Sequence, residues 1–152
     1  MNKILLIITG SIAASRCKEI IALLNINEVK ISCILTKEAK KYVKISDIKK
    51  LLKNRIFTDE DEKKNKMLHI NLSRDNDMIV MCPATANSIA KFANGYGDNL
   101  ASNTLLASNK KILFVPAMNS FMWHNKINQK NVRILKNSCL LYTSPSPRDS
   151  GK

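Results

Sequence analysis

The sequence predicts an α/β fold, a Rossmann-like three-layer sandwich in which helices cover both faces of a parallel sheet. Two observations support this fold class. Four short apolar runs, at 3–8, 29–35, 78–81 and 111–115, are separated by segments whose apolar residues recur at helical spacing. Each run also ends directly in a turn that contains threonine or proline. Because ligands of such sheets bind beyond the carboxyl ends of the strands, these turns are the candidate functional segments.

The first strand and helix are predicted from "KILLII" and the segment behind it. A continuous apolar run of this length is typical of a strand that is buried on both faces. The letters "TGS" interrupt the run, and from Ser11 onward Cys17, Ile20, Ile21 and Leu24 follow the i, i+3, i+4, i+7 spacing of one helical face. The sequence therefore predicts a strand, a turn at 9–11 and a helix.

The second strand is predicted at 29–35, "VKISCIL", and it is closed by Thr36. The segments 37–43 and 47–52 then predict two short helices. The charged run "TDEDEKKNK" at 58–66 contains no apolar residue, so we expect a solvated loop there.

The second half of the chain repeats the alternation of strand and helix. The run "MIVM" at 78–81 predicts a strand, and Ile89, Phe92 and Ala93 then share one helical face. Gly95 or Gly97 is expected to end that helix, since glycine accepts positive φ. A short helix at 100–108, a strand at 111–115 and a final helix at 119–137 complete the prediction.

Charge and cysteine content exclude several function classes. The formal net charge is +13, but the basic residues are spread along the chain and are not interleaved with aromatic residues, so we expect no nucleic-acid partner. The four cysteines show no C-x-x-C or His/Cys ligand spacing, and no metal site is predicted. No run approaches the ~18 apolar residues of a membrane span, and we expect no membrane partner.

The opening "MNKILLIITGSIAAS" could serve as a short signal peptide, but Thr9, Gly10 and Ser11 interrupt its apolar stretch and a helical pattern follows at once. Cys17 and Cys33 fall within apolar patterns, as core residues of a protein in a reducing compartment do. We therefore expect a cytoplasmic protein.

The strand ends carry polar residues with two possible roles. "TGSIAAS" has one glycine, not the three of a dinucleotide fingerprint, although a Gly-Ser turn before a helix can still present N–H groups to a phosphate. Taken singly, Ser11, Thr36 and the segment "ATAN" at 84–87 could each be ordinary helix caps. Asn119 could either cap a helix or contact a substrate. His69 taken alone is more often a packed or surface residue than a catalytic base. The three turns at Ser11, Thr36 and 84–87 are expected at one edge of the sheet, and together they favour a phosphorylated cofactor.

A resemblance to a known family adds to this interpretation. The segments "GSIAA", "TKEA", "HINL", "CPATANSIAKFANGYGDNLAS" and "PAMNSFMW", in this order, resemble the homo-oligomeric flavin-containing cysteine decarboxylases. The resemblance covers about 3–137, and "PATAN" with "PAMN" is its most specific part. It implies a flavoprotein-type fold, FMN as cofactor and a carboxy-lyase activity. Within the family, the chain is most similar to members that act on 4'-phosphopantothenoylcysteine in coenzyme A biosynthesis, which are often fused to a synthetase domain.

The resemblance also implies roles for individual residues. His69 would be the catalytic base, and Asn119 would hold the substrate carboxylate, with Ala117, Met118 and Met122 also in contact with the substrate. The segment 95–102 would line the flavin and a neighbouring subunit, since family sites lie at trimer interfaces. The residues implied to hold FMN are Gly10, Ser11, Ile12, Thr36, Pro83, Ala84, Thr85, Ala86, Asn87 and Ser102.

The implied chemistry is oxidation of the substrate thiol at FMN, which creates the electron sink needed for loss of carbon dioxide and leaves an enethiolate. In the coenzyme A enzymes, a cysteine on a later Ala-Cys-Gly flap then supplies a proton for reduction. The alternatives are a peptidyl-cysteine decarboxylase of lantibiotic type, which lacks that cysteine, and a non-catalytic FMN-binding regulator. The implied partners are a small phosphorylated substrate and further copies of this chain, as a homotrimer or higher oligomer.

The end of the chain, "CLLYTSPSPRDSGK", does not fit the predicted fold. It has no core pattern, and its residues 139–149 resemble the translation of a common sequencing-library transposase adapter. We therefore expect a decarboxylase domain at 1–137 that is incomplete at its C-terminus, and an unstructured adapter-derived tail at 138–152. Without the flap cysteine, such a chain is expected to bind FMN weakly and to stop at the enethiol.

Overall fold

The computed structural model describes residues 2–53 and 55–138, together with the backbone of Leu141–Tyr142. In this part of the chain, six parallel strands form one sheet in the order β3-β2-β1-β4-β5-β6, which is the Rossmann order. The strands are β1 (Lys3–Ile8), β2 (Lys30–Leu35), β3 (Ile56–Phe57), β4 (Met78–Ala84), β5 (Lys111–Pro116) and β6 (Leu141–Tyr142).

Helices connect the strands, and two short 3-10 turns, Ile12–Arg16 and Glu38–Lys41, follow β1 and β2. The α-helices are α1 (Cys17–Ile26), α2 (Ile45–Leu52), α3 (Asp59–Lys64), α4 (Leu68–Arg74), α5 (Ala86–Ala93), α6 (Leu100–Ala107), α7 (Ser120–His124) and α8 (Lys126–Asn137).

Strand β1 shows why the fold has three layers. Its side chains alternate between the two faces of the sheet, as the pleat of a strand requires. Leu5 and Ile7 belong to a core cluster shared with α4, α5, α6 and α8, whereas Leu6 and Ile8 belong to a second cluster shared with α1 and α2. All four are at most 1% exposed. The predicted parallel sheet with helices on both faces is therefore confirmed.

The four predicted strands form, with small differences at their ends. Strand β4 continues beyond 81 through Pro83 to Ala84, with an irregular register between Met81 and Ala84. The sequence did not predict β3, which is only two residues long, or helix α4. The helix predicted from Ser11 begins as a 3-10 turn, and the one predicted at 37–43 is a single 3-10 turn, whereas α2 forms as expected.

The prediction of a loop at 58–66 is wrong, because Asp59–Lys64 is helix α3. Thr58 and Asp61 form a capping box, in which the Thr58 N–H donates to Asp61 Oδ2 at 2.8 Å. Acidic residues occupy the first turn and lysines the last, an arrangement that the helix dipole favours. Capping and charge therefore stabilise a helix that has no apolar stripe to signal it.

The prediction of one final helix at 119–137 is also wrong, because the helix is broken at Asn125 into α7 and α8. The Asn125 side chain accepts hydrogen bonds from the N–H groups of Ile127 and Asn128, at 2.9 and 3.2 Å, and so caps α8. A side chain that satisfies the backbone in this way competes with continuation of the helix.

Within the predicted tail, Leu141 and Tyr142 pair with Leu113 and Phe114 of β5, so these two residues are not unstructured. Residues 139–140 and 143–152 lie outside the described part of the chain, and the adapter origin of the tail stays a prediction. In the described residues, the longest and most apolar helices fall short of what is needed to cross a membrane.

Candidate functional site

A cavity of about 330 Å³ opens at the carboxyl ends of β1 and β4. These strands are neighbours at the centre of the sheet, and the chain builds outward from them in opposite directions. Such a topological switch point is where α/β sheets bind ligands, because the loops that follow the two strands diverge and leave a crevice.

Ten of the residues singled out in the sequence line this cavity. They come from the turns after β1, β2, β4 and β5 and from helices α5, α6 and α7. They are Gly10, Ser11, Thr36, Thr85, Ala86, Asn87, Ser102, Ala117, Met118 and Met122.

The structure places three of the implied cofactor residues elsewhere. Pro83 and Ala84 are buried strand residues that do not line the cavity, and the Pro83 carbonyl accepts a hydrogen bond from the Thr9 hydroxyl. That bond joins the ends of β1 and β4 directly beside the cavity. Ile12 is 61% exposed and also lies outside the lining.

Helix α5 presents its N-terminal turn to the cavity. The Thr85 hydroxyl accepts from the Ser88 N–H at 3.1 Å and donates to the Ser88 hydroxyl at 2.9 Å. Thr85, Asn87 and Ser88 all line the cavity. The positive end of the helix dipole and these polar groups are suited to an anion such as a phosphate.

A second capping network orients Ser102 at the start of α6. The Ser102 N–H donates to Asn99 Oδ1 at 2.8 Å, while the Ser102 hydroxyl accepts from the Asn99 N–H at 3.1 Å. Ser102 is 6% exposed, and both residues line the cavity. This side of the site is therefore held in place by hydrogen bonds that span only four residues of sequence.

The sequence analysis gave no role to seven lining residues: Thr9, Glu38, Met81, Ser88, Lys91, Phe92 and Leu105. Asn99 and Ala101 also line the cavity, and they belong to the segment 95–102 that was expected to line the flavin. Lys91 carried a detectable signal, because it lies four residues after Asn87 on the same helical face. Glu38 lies in the quoted segment "TKEA", but nothing in the sequence predicted its contact with Gly10, which depends on the close approach of two separate turns. The apolar residues of α5 and α6 could not be distinguished from core residues by their pattern.

Lys91 is the cationic residue of the lining, and it is paired with a carboxylate. Its Nζ atom lies 3.0 Å from Asp98 Oδ2, and the hydrogen bond between them lowers the pKa of Asp98 below its ordinary value. The Ser102 hydroxyl also donates to Asp98 Oδ1, at 3.2 Å. The pair joins the end of α5 to the start of α6 across one edge of the cavity.

Asn119 caps helix α7, which is one of the two roles considered for it from the sequence. Its Oδ1 accepts from the Met122 N–H at 2.9 Å and so begins α7. Within the described residues its Nδ2 group donates no hydrogen bond, and the side chain is exposed. Asn119 itself is not among the residues that line the cavity, although its neighbours Met118 and Met122 are. The same amide can therefore cap the helix with its oxygen and present its N–H groups to a ligand.

His69 is not part of the cavity lining of its own chain. It lies on α4, where its Nδ1 atom is 3.2 Å from Glu62 Oε2. Nδ1 is buried, yet the two groups are not aligned well enough for a hydrogen bond. Helix α4 packs on α6, whose residues Ser102 and Leu105 line the cavity.

The lining combines hydroxyl and amide groups at the strand ends with an apolar wall. Met81, Phe92, Leu105 and Met118 supply the wall, and the Phe92 ring packs against Phe114 with centroids 5.8 Å apart. A ligand with an anionic group and a flat apolar part matches this division. The described residues contain no group of three His, Cys, Asp or Glu side chains suited to a metal ion.

Comparison with protein families gives one match that spans the chain. The model of the family described as Flavoprotein matches residues 1–152. A probable phosphopantothenoylcysteine decarboxylase of Streptococcus mutans is 31% identical over 89% of this chain and 78% of its own length. An epidermin decarboxylase of Staphylococcus epidermidis is 32% identical over 98% of this chain and 81% of its own length.

Two further similarities concern a longer relative and a solved structure. A coenzyme A biosynthesis bifunctional protein of Bacillus subtilis is 29% identical over 95% of this chain, which covers 36% of that protein. The crystal structure of the FMN-dependent cysteine decarboxylase SpaF superimposes with a TM-score of 0.90 at 27% identity, over 98% of this chain and 87% of that one.

Proposed function

The chain belongs to the flavoprotein family, and from that membership we propose that it binds FMN and decarboxylates a substrate with a C-terminal cysteine. One observation carries the proposal. The turns that follow four different strands, together with helices α5, α6 and α7, bring ten residues of the flavin-decarboxylase motifs around one cavity at the switch point of the sheet.

The chemistry of the residues that line the cavity fits FMN. Gly10 lets the turn after β1 lie directly against Glu38 at the edge of the cavity, since a Cβ atom on Gly10 would stand 2.3 Å from Glu38 Cβ. Ser11, Thr36 and Thr85 would hold the phosphate through hydroxyl and backbone N–H groups, and Ser102 with the apolar wall would hold the ring system. When bound, FMN supplies the oxidation of the substrate thiol that lets the carboxylate leave as carbon dioxide.

Asn119 would bind the substrate carboxylate through its Nδ2 group, while its Oδ1 keeps the cap of α7. Ala117 and Met118 would contact the substrate beside it, and Met122 would close that side. Because the amide is fixed by the helix it caps, the carboxylate would be held in one orientation over the cofactor.

His69 would serve as the base, and its position gives the proposal a second part. Since His69 does not line the cavity of its own chain, it would act in the site of a neighbouring copy. The active form would then be a homo-oligomer, with a trimer as the smallest assembly implied by the resemblance.

The finer proposal is that the substrate is 4'-phosphopantothenoylcysteine, in coenzyme A biosynthesis. The similarity to a phosphopantothenoylcysteine decarboxylase and to the bifunctional protein favours this substrate and a fused synthetase in the natural gene. The similarity to an epidermin decarboxylase keeps peptidyl cysteine as the second candidate. A cytoplasmic location completes the proposal, because Cys17, Cys33 and Cys82 are free thiols.

The test is to purify the protein with FMN and to incubate it separately with 4'-phosphopantothenoylcysteine and with a peptide that ends in cysteine. We expect a flavin spectrum, release of carbon dioxide from the phosphorylated substrate, and an enethiol product identified by mass spectrometry. A saturated thiol would show that the chain completes the reduction. Release only from the peptide would replace the proposed substrate, and flavin binding without release from either would indicate a regulator.

The shared site has its own test. His69→Ala and Asn119→Ala chains are each expected to be inactive, but refolding them together forms mixed oligomers in which some sites combine an intact His69 with an intact Asn119. Recovery of activity on mixing would support the interface site. A mixture as inactive as its two components would contradict it.

A further inference from the structure

We propose that Glu62 positions the imidazole of His69, holding the proton on Nδ1 so that Nε2 is the nitrogen that accepts a proton. This inference rests on the proposed role of His69 as the base. It adds a residue from the charged run at 58–66, for which the sequence indicated no function.

The contact between the two side chains carries the inference. His69 Nδ1 lies 3.2 Å from Glu62 Oε2, and the side chains are 27% and 19% exposed. Nδ1 is buried and has no hydrogen-bond partner among the described residues. A carboxylate can only accept, so a proton between these atoms belongs to the imidazole. A small rotation of the ring completes the hydrogen bond, as often happens in catalytic sites when a ligand binds.

The Glu62 carboxylate is itself held in place. Asn103 Nδ2 lies 3.3 Å from Oε1 and 3.5 Å from Oε2, and donates to the carboxylate from helix α6. The absence of a Cβ atom at Gly97 leaves room for this amide, since such an atom would stand 2.5 Å from Asn103 Oδ1.

Helix α3 is also fixed to the helix that forms one wall of the cavity. Asp59 Oδ1 accepts a hydrogen bond from the Leu100 N–H, the first residue of α6, at 3.0 Å. Two carboxylates, one helical turn apart on α3, therefore bind α6. This anchoring distinguishes Glu62 from Glu60, whose side chain is 68% exposed and lies 3.6 Å from Lys63 on the same helix.

The chemistry requires such a partner. A neutral imidazole has one N–H and one lone pair, and the hydrogen bond made by one nitrogen decides which of them faces the reaction. In an isolated neutral imidazole the proton can occupy either ring nitrogen. A carboxylate held against Nδ1 would therefore keep the lone pair on Nε2 in every copy of the site.

The experiment is nitrogen NMR of protein labelled with ¹⁵N-histidine. The chain has only two histidines, and His124 on α7 serves as the internal reference. We expect neutral His69 to carry its proton on Nδ1 in the unaltered protein. In Glu62→Met, which keeps the length of the side chain and removes both oxygens, the signals should move toward the Nε2–H form. Glu62→Asp should retain part of the original pattern, and Glu60→Met all of it.

The second measurement is steady-state kinetics with FMN and the substrate that the unaltered protein decarboxylates. We expect Glu62→Met to lower kcat about ten- to a hundred-fold with little change in KM, as loss of a positioning partner does. Glu60→Met should leave both constants unchanged. If Glu62→Met does not fold, Glu62→Gln keeps the shape without the charge and should give an intermediate shift and loss.

Two results would overturn the inference: unchanged His69 signals in the folded Glu62 variants, or shifted signals with full kcat. A failure of the proposed function looks different. In that case the unaltered protein would release no carbon dioxide, and the catalytic part of the inference would fall with it, while the NMR result would still decide whether Glu62 sets the proton position.

Discussion

Gly10 and Glu38 approach each other so closely that a Cβ atom on Gly10 would stand 2.3 Å from Glu38 Cβ and 3.0 Å from the Glu38 carbonyl carbon. The contact joins the turn after β1 to the 3-10 turn after β2, and both residues line the cavity. Glycine is required here for space and not for an unusual backbone angle. The width of the proposed phosphate end of the site therefore depends on this contact.

Gly10→Ala should push the 3-10 turn at Glu38–Lys41 away from β1 and distort the cavity. Because the clash involves backbone atoms, it cannot be relieved by a side-chain rotation. We expect a loss of about 1–3 kcal/mol in unfolding free energy and at least about tenfold weaker FMN binding. Urea unfolding and quenching of flavin fluorescence measure the two effects. Lys40→Ala, on the exposed side of the same turn, is the control, and equal FMN affinity in both variants would refute the steric argument.

Thr85→Ala removes the N-cap of α5 and one hydroxyl of the cavity. The lost hydrogen bond to the Ser88 N–H, 3.1 Å long, should lower the unfolding free energy by about 1 kcal/mol. FMN binding should weaken as well, because the same hydroxyl lies at the proposed phosphate. Thr85→Ser keeps the hydroxyl and should restore both properties. If Thr85→Ala loses stability but binds FMN with full affinity, Thr85 is a cap and nothing more.

Asn119→Asp separates the two roles of this side chain. A carboxylate is also a good N-cap acceptor, so the Met122 N–H keeps its partner and thermal stability should hold. The variant loses the amide donor and brings a negative charge toward the substrate carboxylate. We therefore expect kcat/KM to fall by about a hundredfold or more. Asn119→Ala should lose stability and activity together, whereas near-normal activity of Asn119→Asp would exclude carboxylate binding by the amide.

The Lys91–Asp98 pair predicts a dependence of stability on pH. The hydrogen bond from Lys91 lowers the pKa of Asp98 in the folded protein, so the pair stabilises the fold above the ordinary carboxyl range and loses this effect as pH falls through the lowered value. Since the Asp98 side chain is 55% exposed, the contribution should stay below about 1 kcal/mol.

Urea unfolding of the unaltered protein and of Asp98→Asn, between about pH 7 and about pH 3, measures this effect. The difference between the two proteins should shrink toward the acid end. Glu60→Gln removes one negative charge from an exposed helix surface and is the matched control. A difference that is constant across the range, or that grows in acid, would contradict the prediction.

The sequence predicted the sheet correctly, and ten of the residues it singled out line one cavity, because both results depend on local pattern. Leu5 to Ile8 lie in a run without polar residues, and only a strand covered on both faces buries such a run completely. Once the strands are placed, chain direction alone brings Gly10, Thr36, Thr85 and Met118 to one edge of the sheet. The order of the strands then puts the cavity between β1 and β4.

What the sequence did not predict depends on contacts between distant segments. Helix α3 has no buried residue, so its sequence has no apolar periodicity from which a helix could be predicted. Its carboxylates bind α6, about forty residues away, and bring Glu62 to His69 from a neighbouring helix. In the same way, Glu38 lies close to Gly10 because two turns pack against each other, and neither turn's sequence predicts this contact.

By itself, therefore, the sequence determined the layers, the strand ends and the motifs mounted on them, because strand pleating and helical periodicity are properties of consecutive residues. Only the tertiary structure decided which polar groups meet across those elements. The amide of Asn119 caps α7 and leaves its nitrogen exposed, and the buried nitrogen of His69 faces a carboxylate of α3. Hydrogen bonds and charges act over a few ångströms in space, whatever the separation along the chain.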